Sequence, residues 1–433
     1  MLHDRLAEDL YSEICRIPIV DSHTHIDPHR PTARNLADIL GYHYYTELAH
    51  SAGMDKAAVA PRVDPRERVR AILYHLTRFD NTVQHLWFVE IARALLGFQG
   101  HRLTLADAAW LHDAAEQLMA QPDWEERVLQ RCNIDQVFLT NDFDDTLEGF
   151  NTRRYVPCLR TDDLVFHLNQ PAVRQRLAKA TGVEVGDAAG LRQAVTAIFQ
   201  HFTEHGARAC AVSLPPDFQT GPVDDSDLSA VLAALVLPDG KDPPHSRAGA
   251  ALRATTARGV FWILAEHCQA FRLPFDLMIG VTRGVYEHGV HQGQDLFDQR
   301  TSLIQYAPLF NAFPDVTFCV SVLSSGQNQE LAAYSWIFPN VVTHGHWWYA
   351  NVPPYIERDL RARLQAVPKT KQIGYYSDMY KLEFALPKFN MYRRILTQTL
   401  ADDYIRTHVY TESQAVELAR LLLRDNARRI FNV

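Results

Sequence analysis

Two histidines near the start of the chain have the spacing of metal ligands. The short apolar run at residues 17–20 is followed by His23 and His25, which lie two positions apart. In an extended strand, residues two apart point to the same side, so both imidazoles would face one way at the end of the strand. Imidazole nitrogens bind divalent metals, and zinc is a natural choice for them. The alternative is an ordinary pair of surface histidines, since the chain contains 20 histidines.

An aspartate near the other end of the chain completes a ligand set. The run at residues 371–377 predicts a last strand, and Asp378 follows it directly. In a closed barrel the first and last strands are neighbours, so His23, His25 and Asp378 would converge on one ion. These three ligands leave open positions for water or substrate, as a catalytic metal requires. Asp378 also suits the N-cap of the next helix, and the two roles are compatible. We therefore predict one divalent metal, with zinc favoured, while iron, manganese or cobalt would fit the same ligands.

The elements that must position these residues alternate between strands and helices. Short continuous apolar runs are typical of strands buried on both faces, and segments with helical periodicity separate most of them. This alternation predicts an α/β fold of the (β/α)₈ TIM-barrel type, in which active groups gather at the carboxyl ends of the strands. The second choice, a doubly wound open sheet, normally brings a glycine-rich turn that we do not find. The predicted strands are residues 17–20, 134–140, 155–159, 207–214, 274–281, 316–322, 340–343 and 371–377.

Residues 1–433 are predicted to form one barrel domain, and a large helical insertion at residues 28–130 lies within it. Apolar residues at spacings of three and four recur through that insertion, which is too long for a simple crossover. Residues 215–248 are rich in Pro, Asp and Gly, and they predict a mobile loop on the active face of the barrel.

The composition is that of an ordinary soluble globular protein. Hydrophobic residues make up 47% and charged residues 22%, and the net charge is -8 without a basic run, which argues against a nucleic-acid partner. No apolar run approaches the ~18 residues of a membrane span, and the first residues lack a signal-peptide pattern. The six cysteines are scattered without a C-x-x-C motif, so we expect reduced thiols in a cytoplasmic enzyme. A homo-oligomer is compatible with a chain of this size.

The His-x-His after the first strand and the aspartate after the last resemble the amidohydrolase superfamily. Longer stretches resemble the uronate isomerases in particular, and they occur in the same order along the chain. The matching segments are Ile26-Asp27-Pro28, Tyr42-His43-Tyr44, Pro157-Cys158-Leu159-Arg160-Thr161-Asp162, Trp347-Trp348-Tyr349 and Tyr392-Arg393-Arg394. The resemblance implies a metal-dependent aldose–ketose isomerase of carbohydrate metabolism. Its substrate would be a small sugar acid of the glucuronate or galacturonate type.

The resemblance also implies roles for individual residues. His43 and Tyr44 would move protons beside the metal-bound Asp378, or they would simply pack at a helix start. Arg160, helped by Arg283, would hold the substrate carboxylate, because arginine is suited to a bidentate grip. Arg160 would alternatively pair with Asp162 or Asp163. Trp347 and Trp348 would form an apolar wall under the sugar, or they would be part of the core packing.

Several family positions differ in this chain. The family's Asp-Ser-Arg after the last strand is Asp378-Met379-Tyr380 here, its strand-five His is Met278, and the Arg after its His-Tyr is Glu47. These losses favour a second hypothesis, a metal-dependent hydrolase or lyase acting on another small polar acid with Asp378 as the base. A third hypothesis is a barrel that binds a ligand without catalysis.

Two further histidine pairs are not accounted for by the resemblance. His344 and His346 follow strand seven, and His288 and His291 follow strand five. Each pair would either supply imidazoles to the site or be incidental to it.

Overall fold

The computed structural model describes residues 4–100, 102–235 and 247–433. Each of the eight predicted strands is found in this part of the chain, mostly shorter than predicted. The strands are β1 (Ile19–Asp21), β2 (Ile134–Phe138), β3 in two pieces (Tyr155–Val156 and Leu159–Arg160), β4 (Cys210–Leu214), β5 (Phe275–Ile279), β6 (Phe318–Val322), β7 (Val341–His344) and β8 (Gln372–Ile373). A short strand Asn141–Asp142 and a hairpin of Val281–Thr282 with Leu296–Phe297 accompany them.

The strands pair in parallel in their order along the chain. One ladder runs from β1 through β2 to the first piece of β3, and a second runs from the second piece of β3 through β4 to β8. Within the described residues β1 and β8 do not form a ladder. Instead the Asp378 N–H donates to the His23 carbonyl oxygen at 3.1 Å, and the His25 N–H donates to the Met379 carbonyl oxygen at 2.8 Å.

Side chains from all around the ring of strands meet in one buried cluster. Val20 of β1, Ala211 of β4, Cys319 of β6 and Ile373 of β8 belong to it, and Phe431 of the last helix packs into the same cluster. All five residues of β5 and of β6 are buried, as expected for parallel strands covered on both faces. The predicted α/β barrel is therefore confirmed.

Helices surround the strands, and many of them lie between β1 and β2. Their apolar residues pack on the barrel and on one another, in accordance with the amphipathic spacing. In the described part of the chain, no helix is both long and apolar enough to cross a membrane. The α-helices are Arg5–Cys15, Leu36–Leu40, His43–Ser51, Pro65–Leu76, Val83–Leu95, Ala108–Met119, Trp124–Cys132, Asp162–Phe166, Pro171–Thr181, Ala188–Glu204, Asp225–Leu235, Arg247–Phe271, Ala307–Ala312, Asn328–Ile337, Pro353–Ala366, Ala385–Leu400, Glu412–Arg420 and Asn426–Phe431, with π-helical turns at Ala401–Ile405 and Leu421–Asp425.

The prediction of a loop at residues 215–248 is wrong over its middle section and at its end, where the helix Arg247–Phe271 begins. Residues Asp225–Leu235 form a helix, because Leu228, Leu232 and Leu235 recur at spacings of four and three and are all buried. Pro, Asp and Gly are concentrated on either side of this helix, and they dominated the composition of the whole stretch. Residues 236–246 of the predicted loop lie outside the described residues.

Candidate active site

The three predicted metal ligands converge at the carboxyl ends of β1 and β8. The His25 Nε2 atom lies 3.3 Å from the Asp378 Oδ1 atom, and the His23 Nε2 atom lies 3.8 Å from the same oxygen. One ligand atom from each side chain lies within 4.8 Å of the other two. His23 Nε2 is buried and makes no hydrogen bond with any described residue. A buried, unpaired imidazole nitrogen beside a carboxylate has the chemistry of a metal ligand, so these residues fit a divalent ion.

Backbone contacts hold Asp378 in an unusual conformation. Its φ angle is +53°, in the left-handed region that residues other than glycine rarely adopt. The Tyr42 hydroxyl donates to the Asp378 carbonyl oxygen at 2.8 Å, and the Lys388 Nζ atom donates to the preceding Ser377 carbonyl oxygen at 2.6 Å. These hydrogen bonds hold the strained turn at Asp378 in place.

The second nitrogen of His25 is also engaged. Its Nδ1 atom lies 2.9 Å from the Thr140 hydroxyl oxygen, which leaves Nε2 directed towards Asp378. Burial lowers the pKa of His25, which keeps the imidazole neutral and able to ligate a metal. Burial acts to raise the pKa of Asp378, but the adjacent His25 and His23 bring it below its ordinary value. Asp378 is therefore an ionised carboxylate at neutral pH.

Tyr44 approaches the cluster from the helix His43–Ser51, the second α-helix after β1. Its hydroxyl donates to the Asp378 Oδ2 atom at 3.4 Å, and the side chain is buried. Burial raises the pKa of Tyr44 well above its ordinary value. The phenol is therefore protonated at neutral pH and acts as a hydrogen-bond donor to Asp378.

A cavity of about 200 Å³ opens beside the cluster. Two of the three predicted ligands, His25 and Asp378, form part of its wall, and Met278 forms another part. The predicted substrate-site residues that also line it are His43, Arg160, Arg283, Trp347 and Trp348. The structure thus brings together, around one space, almost all of the residues predicted to act on a substrate. Tyr44 reaches the ligand cluster without being part of the cavity wall.

Comparison with known proteins gives the family of this chain. The family model described as glucuronate isomerase matches residues 1–431. This chain belongs to that family. It is 24% identical, over 464 aligned positions, to a uronate isomerase of Nostoc punctiforme, with 99% of this chain and 95% of that protein covered.

Solved structures show the same fold. A uronate isomerase from Thermotoga maritima superposes with a TM-score of 0.88 at 18% identity, covering 99% of this chain and 98% of that one. A glucuronate isomerase from Caulobacter crescentus superposes with a TM-score of 0.87 at 20% identity, covering 99% of this chain and 94% of the other.

Both cavity arginines are paired with carboxylates of the chain itself. The Arg160 Nε atom donates to the Asp162 Oδ2 atom at 3.2 Å, so the structural pairing considered for Arg160 exists and leaves the side chain in the cavity wall. The Arg283 Nη1 atom donates to the Asp295 Oδ2 atom at 2.6 Å. The Arg160 side chain is 36% exposed and the Arg283 side chain 55%. The two carboxylates hold these cations in place and would compete with an anionic ligand for them.

His43 and the tryptophans form the side of the cavity nearest the insertion. The His43 Nδ1 atom lies 2.8 Å from the Glu47 Oε1 atom. Glu47, which replaces the family's Arg, therefore gives His43 a carboxylate partner. Trp348 packs edge-on against His43, with ring centres 5.3 Å apart, and Trp347 is buried among the core residues near Met278. The two tryptophans therefore belong both to the core and to the cavity wall.

The other histidine pairs do not reach the cavity. His344 is buried behind the ligands and hydrogen-bonds to Ser22, and His346 is buried without a hydrogen-bond partner among the described residues. His288 and His291 are exposed and are not part of the cavity wall. Neither pair supplies an imidazole to the cavity.

Two residues near the predicted ligands were given no role by the sequence analysis. Asp276 of β5 lies 3.1 Å from His23 Nδ1, and Tyr380 stacks on His25 with ring centres 4.9 Å apart. An acidic residue inside an apolar strand was the one signal for Asp276. Tyr380 follows Asp378 by two residues, which places it on the same rim of the barrel.

Proposed function

We propose that this protein is a uronate isomerase, which interconverts an aldo-uronic acid of the glucuronate or galacturonate type and its keto form. The cavity is the observation that carries this proposal. Its lining includes two of the three predicted ligands, His25 and Asp378, together with two arginines that suit a carboxylate. A sugar acid offers both groups that such a space would recognise, an oxygen-rich carbonyl end and an anionic end. The family of the chain supports the same reaction.

His23, His25 and Asp378 would hold one divalent metal, and their nitrogen-rich set favours zinc. When bound, the metal would act as a Lewis acid on the substrate oxygens. The remaining work falls to side chains of the chain itself.

Arg160 and Arg283 would bind the substrate carboxylate. A guanidinium offers two parallel N–H donors to a carboxylate, and such charge-assisted bonds are stronger than neutral ones. Asp162 and Asp295 would keep the guanidinium groups directed into the cavity before the substrate arrives. An uncharged sugar would lack this anchor, so the arginines would select for acids.

The reaction moves hydrogen without any redox partner. In the aldose-to-ketose direction, the C2–H bond breaks, a C–H bond forms at C1, and a proton moves from the oxygen on C2 to the oxygen on C1. His43 lines the cavity with Glu47 on its Nδ1 atom, so its Nε2 atom would accept and return the carbon-bound proton. Tyr44 would stabilise the charge of Asp378 by donating its hydroxyl hydrogen. Trp347 and Trp348 would cover the sugar and keep water from the reacting carbons.

A direct assay tests this proposal. Metal-loaded protein would be incubated separately with D-glucuronate, D-galacturonate and the corresponding neutral hexoses, and products would be followed by proton NMR. We expect ketose from at least one uronate and none from the hexoses. The variant Arg283→Gln should reduce turnover of the uronate, whereas a matched change at the exposed Arg420 should not. Turnover of a hexose at the same rate would contradict the carboxylate anchor.

The same assay decides between the isomerase and a hydrolase or lyase. The family's Arg and strand-five His are Tyr380 and Met278 here, and both side chains line the cavity. If neither uronate changes while the protein holds one metal per chain, hydrolase and lyase substrates become the leading candidates.

The cytoplasmic location and the homo-oligomer stay predictions. Light scattering on the purified protein would give the oligomeric state, and elemental analysis after expression would identify the metal.

A further inference from the structure

Three buried residues behind the metal cluster form a connected set of hydrogen bonds. The Oδ2 atom of Asp276 lies 3.1 Å from the Nδ1 atom of His23, and its Oδ1 atom lies 3.0 Å from the Nδ1 atom of His344. The Nε2 atom of His344 lies 2.7 Å from the Ser22 hydroxyl oxygen. Ser22 and His23 follow β1, Asp276 belongs to β5 and His344 ends β7. One carboxylate thus connects three separate strands of the barrel.

The chemistry of the carboxylate determines where the hydrogens lie. An ionised carboxylate can only accept, so each imidazole nitrogen that faces Asp276 must carry a hydrogen. In a neutral His23, a hydrogen on Nδ1 leaves the lone pair on Nε2. That nitrogen is the one 3.8 Å from the Asp378 Oδ1 atom and without a hydrogen-bond partner among the described residues. Asp276 therefore selects the tautomer of His23 that can ligate a metal.

The hydrogen bonds from Ser22 to His344 and from His344 to Asp276 have the arrangement of a serine–histidine–aspartate triad. The burial of all three residues argues against that role. Ser22 is 4%, His344 0% and Asp276 2% exposed, and none of the three is part of the cavity wall. A nucleophile that no substrate can reach has no reaction to perform. Asp276 moreover also contacts His23, which connects the three residues to the predicted metal cluster.

We propose that Asp276 is a positioning residue for the metal, which fixes the tautomer and the ring orientation of His23 while His344 and Ser22 hold the carboxylate in place. This inference rests on the proposed function, because it requires the metal site. Ligating histidines commonly donate their other N–H to a carboxylate, and loss of such a partner typically weakens metal binding about 10–100-fold. The contribution of Asp276 would be to metal affinity and to the geometry of the site.

The test compares two buried carboxylates of the same chain. Asp276→Asn removes the charge at nearly constant volume, and Asp359→Asn does the same at a buried aspartate that accepts from Ser325 on the outer helices. The affinity for Zn²⁺ would be measured by chelator competition, and the Co²⁺-loaded forms would be compared by their visible spectra. We expect Asp276→Asn to bind Zn²⁺ about 10–100-fold more weakly and to alter the Co²⁺ spectrum. Asp359→Asn should keep the wild-type affinity and spectrum even if its stability falls.

A second measurement needs no variant, so the proposal is testable even if Asp276→Asn fails to fold. Nitrogen-15 NMR of metal-depleted wild-type protein, recorded at a pH high enough that His23 is neutral, would report the tautomer of His23, and we expect the hydrogen on Nδ1. A hydrogen on Nε2, or a folded Asp276→Asn variant that binds Zn²⁺ within twofold of wild type, would overturn the inference. Wild-type protein that binds no metal at all would overturn the metal site itself and this inference with it. Metal binding without turnover of uronates would contradict the proposed function and leave the assignment of Asp276 intact.

Discussion

Replacing Lys388 with methionine tests how a buried cation next to the turn of Asp378 affects stability. The Lys388 Nζ atom donates to the Ser377 carbonyl oxygen at 2.6 Å and to the Tyr42 hydroxyl oxygen at 3.3 Å, and the side chain is fully buried. Burial lowers the pKa of Lys388 from its ordinary value of 10.5 to about 8, although two nearby aspartates act in the opposite direction. A methionine has a similar length and packs well against aromatic rings.

The magnitude follows from the two pKa values. The unfolded chain keeps the lysine proton up to a pH near 10.5, whereas the folded chain releases it near 8. The folded state therefore carries the cost of a buried ammonium at neutral pH, on the order of 3 kcal/mol, and this cost disappears as the pH rises from 8 to 10.5. The free energy of unfolding of the wild type, relative to Lys388→Met, should rise by about 2–3 kcal/mol between pH 7 and pH 10.

Urea unfolding at several pH values, followed by tryptophan fluorescence, measures this difference. Lys56→Met is the control, because Lys56 is exposed and its replacement removes the same charge from the surface. We expect the control to show little change in its difference from wild type over this pH range. A difference between wild type and Lys388→Met that stays constant within about 0.5 kcal/mol from pH 7 to 10 would refute the reasoning.

Four further predictions concern the site. His23→Ala should reduce the bound metal from one per chain to nearly none by elemental analysis, whereas the exposed His288→Ala should keep it; equal metal contents would contradict the ligand assignment. Tyr44→Phe should lower kcat about 10–100-fold with a smaller change in KM, since it loses a hydrogen bond to the charged Asp378; an unchanged kcat would remove Tyr44 from the reaction. Arg160→Lys should raise KM for the uronate about tenfold, a loss of about 1.4 kcal/mol, and an unchanged KM would argue against the carboxylate anchor. Removal of the metal by chelation should lower the melting temperature, because an ion at 100 times its Kd stabilises the folded state by about 2.7 kcal/mol; an unchanged melting temperature would contradict a site formed only on folding.

The barrel and the cluster of His23, His25 and Asp378 were predictable from local patterns. Continuous apolar runs mark strands that are buried on both faces, and His23, His25 and Asp378 directly follow the first and last of these runs. The break inside β3 has a local cause that the apolar pattern did not reveal. Pro157 lacks an N–H to donate to a ladder, and it lies where the pairing of β3 changes from β2 to β4.

Asp276 could not be assigned a partner from the sequence. Its contacts lie 253 residues away at His23 and 68 residues away at His344. A carboxylate in an apolar strand is costly to bury unless it is hydrogen-bonded, which signals a partner without saying which one. The positions of these side chains inside the barrel, known only from the structure, bring the three residues together.

Loop residues were the least predictable part of the site. His288 and His291 have a suggestive spacing after β5, but they are exposed, because spacing alone does not fix the direction of a side chain in a loop. Tyr380 was recognised only as the loss of an arginine. The structure shows instead an aromatic ring stacked on His25, a contact that depends on the turn at Asp378.

The most direct test of the central claim is the isomerisation of a uronate in deuterated water by protein loaded with one metal per chain. If the base exchanges with solvent, proton NMR should show the ketose with deuterium at C1, and recovered aldose should carry deuterium at C2. Asp378→Asn and His23→Ala should abolish both signals. The absence of ketose from D-glucuronate and from D-galacturonate, in protein that holds its metal, would contradict the assignment of this site to uronate isomerisation.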